Sequence, residues 1–255
     1  MSLVRYEIRP PAAVLTLTRA DKRNALSRAL IADLDAAVRQ AANDPAARCM
    51  IITGDGPAFC AGMDLDELRS TLTSDAGVIW ADAQRLSELY DRIYSLPKPT
   101  IAAVNGPAVA GGAGLVTVCD LAVSVPGAKF GYPEVRRGLV AAMVLPHLLR
   151  HVGERAARYL LLTGETIDAE EAARVGLINQ VVEASQLLDT ALAWAKAVAE
   201  GGPQALSATK DLLKRFSTQA LSVEEAAKAS AAPRLGDECR AGLAAFFDKR
   251  PVQWV

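Results

Sequence analysis

The sequence predicts an α/β protein with mainly parallel sheets. Short apolar segments with strand character recur along the chain, and stretches with helical spacing separate them. The turn after the first strand lacks GxGxxG, which counts against a dinucleotide-binding fold. At 255 residues the chain suits one large domain or a core with an appendage, and it buries enough surface to need no covalent staples.

Val14-Leu15-Thr16-Leu17-Thr18 alternates apolar and polar residues, as a half-buried strand does. Arg19 to Ala25 reads as a polar loop, and Ser27 as the cap of the helix that follows. Leu30, Ile31, Leu34, Val38 and Ala41 give that helix one buried stripe, and Asn43-Asp44-Pro45 stops it. Cys49 to Thr53 is short and almost wholly apolar, typical of a strand in a sheet covered on both faces. Gly54 to Cys60 forms a turn, Met63 to Ser70 a short helix, and Thr71 to Gly77 a polar connection without pattern. A long amphipathic helix then carries Ile79, Leu86, Leu89 and Ile93 until Pro97 and Pro99 end it. Strands are expected at Thr100–Val104, Leu121–Val125 and Ile178–Val182, with mostly helical chain from Gly153 onward. Asp168 and Ser185 suit N-caps, and Pro203 suits the first turn of a helix.

Between two of these strands lies Asn105-Gly106-Pro107-Ala108-Val109-Ala110-Gly111-Gly112-Ala113-Gly114-Leu115, a glycine-dense turn leading into a segment, Leu115 to Asp120, that can be helical. Unpaired backbone N–H groups at such a junction suit a phosphate or a carbonyl oxygen that becomes an oxyanion. Tight helix packing explains the glycines equally well, and the segment alone does not separate the two.

Composition excludes several classes. Net charge is −1 with both signs interspersed, which leaves no electrostatic footprint for nucleic acid. Half the residues are hydrophobic, yet no apolar run reaches the length of a membrane span, and the first residues lack the apolar block of a signal peptide. Cys49, Cys60, Cys119 and Cys239 are scattered without a CxxC pair, so neither a disulfide framework nor a zinc site is expected, and Cys49 and Cys119 read as buried thiols. A cytoplasmic location follows as an expectation. His147 and His151 are four apart, but no carboxylate accompanies them as in HExxH, so a helical face accounts for them and no metal is expected. No serine or cysteine occupies a GxSxG-type elbow, which counts against a nucleophilic hydrolase.

Several segments together resemble the enoyl-CoA hydratase/isomerase family, also called the crotonase superfamily. They are Arg19 to Leu26, Ala58 to Leu65, Pro99 to Asp120, Phe130-Gly131-Tyr132-Pro133-Glu134, Leu162 to Glu165, Ala172 to Leu177, and Ala245 to Arg250. They run in family order from about residue 5 to the C-terminus. The resemblance implies a spiral core of repeated ββα turns over residues 1–195 and a C-terminal helical oligomerisation region over 196–255, giving a homotrimer or a hexamer of two trimers. It implies an acyl-CoA substrate, coenzyme A being part of that substrate and no cofactor being bound permanently. The thioester oxygen would be held as an enolate by the backbone N–H groups of Met63 and Gly111, donors of a kind worth roughly 3–4 kcal/mol each. Coenzyme A would run along the main chain of Ala61, Gly62, Asp64 and Leu65, flanked by Lys22, Arg23 and Ala25, with Phe246 and Lys249 arriving from the C-terminal region. Lys22, Arg23, Lys249 and Arg250 are the local cations that a phosphate-rich ligand needs, or else a solvated charged surface.

The family's hydratases use two glutamates. The second is present as Glu134, whose pKa an apolar setting near Leu139, Val140 and Met143 would raise; a surface carboxylate paired with Arg136 or Arg137 is the simpler alternative. The first falls at Gly114, where there is no side chain. One glutamate with an oxyanion site suffices for 1,3-proton transfer, so the resemblance favours double-bond isomerisation, with hydration, or a non-catalytic CoA-binding relative, as the alternatives. Asp64 and Tyr132 are further candidates, the first with an adequate role at a helix start, the second to bond in the site or to pack.

Overall fold

The computed structural model describes residues 2–71, 74–216, 237, 239, 241–242, 245, 248–250 and 253. Strand β1 (Val4–Arg9) runs antiparallel to β2 (Ala12–Leu17). β1 escapes the sequence reading because it is an edge strand whose Arg5, Glu7 and Arg9 face outward and bear ion pairs. β2 is buried along its whole length rather than half-buried, since it lies between β1 and β3 with a helix against it; even Thr16 is buried.

That helix is α1 (Arg28–Asn43), and Ser27 caps it, its Oγ accepting from the Leu30 N–H at 3.2 Å. All five residues of the expected stripe are buried. Strand β3 (Cys49–Gly54) pairs in parallel with β2. Helix α2 (Leu65–Ser70) starts two residues later than expected, because Met63 is bridged to Leu26 and Asp64 serves as its cap. Helix α3 (Ala76–Tyr94) begins inside the polar connection and buries Leu86, Leu89, Tyr90 and Ile93; Ile79 is exposed and faces a cavity instead of the core.

Next come β4 (Thr100–Val104), β5 (Ala108–Val109), α4 (Gly111–Thr117) and β6 (Leu121–Ser124). The helix after the glycine turn therefore starts on the glycines themselves and ends before Asp120. Asp120 instead accepts hydrogen bonds from Thr100 N and Oγ1, at 2.7 and 2.9 Å. The chain continues with β7 (Lys129–Gly131), α5 (Leu145–Thr163, bent at Gly153), β8 (Thr166–Asp168) and α6 (Ala169–Arg174), which Asp168 caps through Glu171 N–H at 2.9 Å. Strand β9 (Gln180–Val181) is shorter than expected, and Ile178 is buried ahead of it. Ser185 lies within a single 3-10 turn and caps nothing; α7 (Leu187–Ala199) follows without a side-chain cap. Helix α8 (Pro203–Phe216) opens on Pro203.

The main sheet has six strands in the order β1-β2-β3-β4-β6-β9, parallel from β2 onward. A second sheet sets β7 between β5 and β8. α1 packs on β1, β2 and β3 and α7 on β3, β4 and β6, so the central strands are covered as a parallel sheet requires. The division expected at residue 195 falls inside α7, and most of the region beyond α8 lies outside the described residues.

Candidate active site

The parallel strands β3 and β4 end side by side, which brings the chain after each into contact. Asn105 ties them together: its Oδ1 accepts from Gly54 N at 3.1 Å and its Nδ2 donates to Gly56 O at 3.0 Å. Phe59 and Cys60 N–H groups donate to Pro107 O, and Val109 N–H donates back to Cys60 O at 3.0 Å. A third segment joins through Asn24, which is fully buried and donates to Asp55 O and Ala58 O while accepting from Arg19 N. Beside it, Leu26 bridges Met63 in parallel: Leu26 N–H donates to Gly62 O at 2.7 Å, and Asp64 N–H to Leu26 O at 3.1 Å.

That bridge sets the orientation of Met63. Because Gly62 O and Asp64 N face Leu26, the intervening Met63 N–H points away from it, as pleat alternation demands. Ala110, at φ 52°, turns the chain sharply into α4, whose first N–H is that of Gly111. Neither the Met63 nor the Gly111 N–H donates to another group among the described residues. The two segments touch: a β-carbon on Gly62 would lie 3.3 Å from Gly111 N. Close packing also explains one glycine of the turn, since a β-carbon at Gly112 would meet Cys60 O at 2.1 Å. Tight packing thus accounts for Gly112, while the Gly111 N–H is left without an acceptor among the described residues.

Met63 and Gly111 line a cavity of about 240 Å³ together with Glu134, Tyr90, Leu86 and Val144. Its inner walls are mostly apolar, and its lining also includes Arg28, Asp82 and Arg85, which form one ion-paired group, with Arg28 Nη2 2.5 Å from Asp82 Oδ2. Glu134 lies in the 3-10 turn Pro133–Arg137. Among the described residues, its Oε2 is the only buried side-chain nitrogen or oxygen without a hydrogen-bond partner. Desolvation raises its pKa above the ordinary carboxylate value, against the opposing influence of its own backbone N–H and of Arg137. Arg136 is engaged elsewhere, with Glu165 and Thr163 O, so the surface-pair alternative fails for it. On its other side, Glu134 borders a second cavity of about 220 Å³, which shares Leu139, Val140 and Ala141 with the first.

The remaining sequence-predicted residues divide into groups. Lys22, Arg23, Ala61 and Leu65 are exposed and near one another, with Ala61 N–H donating to Arg23 O at 3.0 Å; Ala25 is partly buried beside them. Lys22 Nζ is 3.4 Å from Asp66 Oδ2. Asp64 turns its carboxylate to Arg19, 2.6 Å away, and caps α2 through Asp66 and Glu67 N–H. Burial pushes its pKa up, but Arg19 and the two N–H groups outweigh it and hold the carboxyl below the usual range. Tyr132 is fully buried, its hydroxyl bonded to Thr117 Oγ1, and it lines the second cavity rather than the first. Lys249 is exposed and does not line either cavity, and Phe246 lies outside the described residues. Burial raises the thiols of Cys49, Cys60 and Cys119 to about 12, which removes them as thiolate nucleophiles at neutral pH. No group of three or more metal-binding side chains occurs among the described residues.

Tyr90 is the site residue that sequence reasoning missed. Its hydroxyl donates to Gly111 O at 2.6 Å, and it stands over Gly114. A β-carbon at Gly114 would lie 2.6 Å from Tyr90 Oη, 2.9 Å from its Cζ and 2.7 Å from Val144 Cγ1. The only sequence signal was its place on the buried stripe of α3, four residues after Leu86.

The known proteins agree with this architecture. A family model described as enoyl-CoA hydratase/isomerase matches residues 7–255. A Thermus thermophilus protein that carries the provisional name enoyl-CoA hydratase is 42% identical over 246 residues, covering 95% of this chain and 96% of its own. A mevalonyl-coenzyme A hydratase of Aspergillus fumigatus is 38% identical over 251 residues, covering 96% and 92%. The crystal structure of an enoyl-CoA hydratase from Shewanella pealeana superposes with a TM-score of 0.94 at 30% identity, over 99% of this chain and 96% of that one. With its six-stranded sheet, its second sheet and its paired backbone segments at 62–63 and 110–111, the chain belongs to the enoyl-CoA hydratase/isomerase (crotonase) family.

Proposed function

We propose that Glu134 moves protons at an acyl-CoA thioester whose carbonyl oxygen is held, as an enolate, by the N–H groups of Met63 and Gly111. One observation carries this reading. An unpartnered, desolvated carboxyl oxygen shares an apolar cavity with two backbone N–H groups that donate to nothing else described. A carboxyl whose pKa desolvation raises holds a proton more readily than an ordinary one, which suits it to proton transfer. Preorganised donors in a dry cavity stabilise the charge that develops on oxygen.

The reaction we favour is the reversible addition of water to a 2-enoyl-CoA, a reading supported by the word hydratase in the names of both relatives. Double-bond isomerisation, expected from the single carboxylate, has no support in those names. It stands as the second reading because Gly114 presents no carboxylate. Coenzyme A would lie along the exposed strip of Lys22, Arg23, Ala61 and Leu65, with no permanently bound cofactor. We also propose a homotrimer or hexamer, supported by the exposed apolar side chains Val135, Leu145, Leu149 and Leu162. No helix among the described residues is long and apolar enough to cross a membrane, and a cytoplasmic location remains part of this proposal.

The test is α-proton exchange of butyryl-CoA in D₂O together with product analysis on crotonyl-CoA and a 3-enoyl-CoA. Wild type should exchange and should form a 3-hydroxyacyl-CoA, and Glu134→Gln should lose both by roughly 10²–10⁴-fold. Exchange that persists in the variant would remove Glu134 from the chemistry. Double-bond migration without hydration would select the isomerase reading.

A further inference from the structure

We propose that Tyr90 supplies the second oxygen of the site, holding the water, or the β-hydroxyl of the product, opposite Glu134 in place of the carboxylate absent at Gly114. The inference rests on the reading of the cavity as an acyl-CoA site that hydrates.

Position is the first argument. With a β-carbon at Gly114 falling 2.6 Å from Tyr90 Oη, the phenol oxygen occupies the volume in which a side chain at 114 would begin. A carboxylate there and a tyrosine at 90 exclude each other. Tyr90 reaches the spot from α3, a different element, yet lines the same cavity as Glu134 and Gly111. The phenol thus brings an oxygen to the start of the path that a side chain at 114 would take.

Hydrogen-bond capacity is the second argument. A phenol has one hydrogen to donate, and Tyr90 gives it to Gly111 O at 2.6 Å. What remains is a neutral acceptor with its direction fixed by that bond. Burial holds the phenol protonated, well above its ordinary pKa, so it does not take a proton itself. A water between the two groups would donate one hydrogen to Tyr90 Oη and the other to the Glu134 carboxylate. Its oxygen is then free to attack.

The step balances with one carboxylate. The water oxygen bonds to the β-carbon, the C=C electron pair moves through the α-carbon to the thioester oxygen, and the water proton passes to Glu134. The enolate then collapses and the α-carbon takes that proton from Glu134. One water has been added, Glu134 is again ionised, and Tyr90 has held the oxygen without changing its protonation.

The test separates holding of water from stabilisation of the enolate. Hydration of crotonyl-CoA needs both, whereas α-proton exchange of butyryl-CoA in D₂O needs only Glu134 and the two N–H groups. Tyr90→Phe, assayed below its unfolding midpoint, should lower kcat for hydration about 10- to 100-fold, at or below the foot of the roughly 10²–10⁴-fold range of a group that itself transfers a proton. Its KM and the exchange rate should stay within about threefold, small against that loss. A difluorotyrosine at position 90 keeps the bond to Gly111 and weakens the acceptor, so it should lower hydration alone. Parallel loss of hydration and exchange would mean that Tyr90 acts only through Gly111, and no loss would mean that it only packs; either result overturns the proposal. So would a wild type that exchanges but does not hydrate, which leaves Glu134 and the oxyanion reading standing. Exchange that survives Glu134→Gln would bring down that underlying reading instead.

Discussion

Replacing Gly114 by alanine tests the packing of the site through a change of sign. Gly114 lies in the middle of α4, where alanine is favoured over glycine by about 1 kcal/mol. In open space the variant would gain that amount. Here the new methyl group would meet Tyr90 Oη at 2.6 Å, Val144 Cγ1 at 2.7 Å and Tyr90 Cζ at 2.9 Å. The tyrosine has little room to retreat, because it is 2% exposed and its hydroxyl is bonded to Gly111 O. Overpacking of this kind costs about 1–3 kcal/mol, so the net effect should be a loss of up to about 2 kcal/mol. For a chain of this size each kcal/mol shifts the midpoint by about 2–4 °C. The assay is thermal and urea unfolding of Gly114→Ala beside wild type. A raised Tm would refute the reasoning, since it would show that the volume over Gly114 is free. Gly114→Glu should lose more, because it adds a carboxylate that the same apolar wall leaves unsolvated.

Other perturbations have equally defined outcomes. The acid limb of kcat/KM should report Glu134: activity rises as the carboxyl loses its proton, with a midpoint above the ordinary carboxylate value because burial raises it. The same raised pKa means that Glu134's contribution to stability is full at low pH and is lost as pH rises through its folded pKa; urea melts of Glu134→Gln across pH should lack that decline. Asp64→Asn should destabilise by on the order of 3 kcal/mol, because it leaves Arg19, itself mostly buried, without its counter-charge. Its α-exchange rate per folded molecule should stay near that of wild type, since Asp64 faces Arg19. Burial holds His147 at about 4, so it favours the fold above the ordinary histidine pKa and that contribution is lost as pH falls through about 4. Melts of His147→Gln at pH 7 and pH 4.5 should differ less than those of wild type.

Much of the frame was legible because burial on one face imposes a period. The stripe of α1, the apolar run of β3 and the cap at Ser27 follow from local patterns, and the structure places them within a residue or two of expectation. What escaped has physical reasons. β5, β7 and β8 are two or three residues long, too short for any alternation to register. β2 is buried on both faces, so its polar Thr16 misleads a reading based on alternation. The N–H groups of Met63 and Gly111 have no side-chain signature, since they are main-chain groups; the glycine-dense turn marked the region of the second, and only the family motifs pointed to the particular residues. Tyr90 was hidden for another reason: it lies 21 residues from the carbonyl it bonds, and nothing local links them. An empty position at 114 is visible in the sequence, but what fills it is decided by tertiary approach.

Leu139, Val140 and Ala141 line both cavities, and that shared lining bears on the carboxyl that both cavities border. It is a short loop outside every strand and helix, and Leu139 N–H donates to Glu134 O at 3.0 Å, which ties the loop to the turn that carries the carboxyl. The loop's three consecutive small or medium side chains carry no part of the sheet framework, and Val140 is 81% exposed. Swapping them for larger or smaller ones would reshape both cavities and, with them, the apolar setting that raises the Glu134 pKa. Space beside the carboxyl and acidity of the carboxyl are, in this molecule, coupled traits.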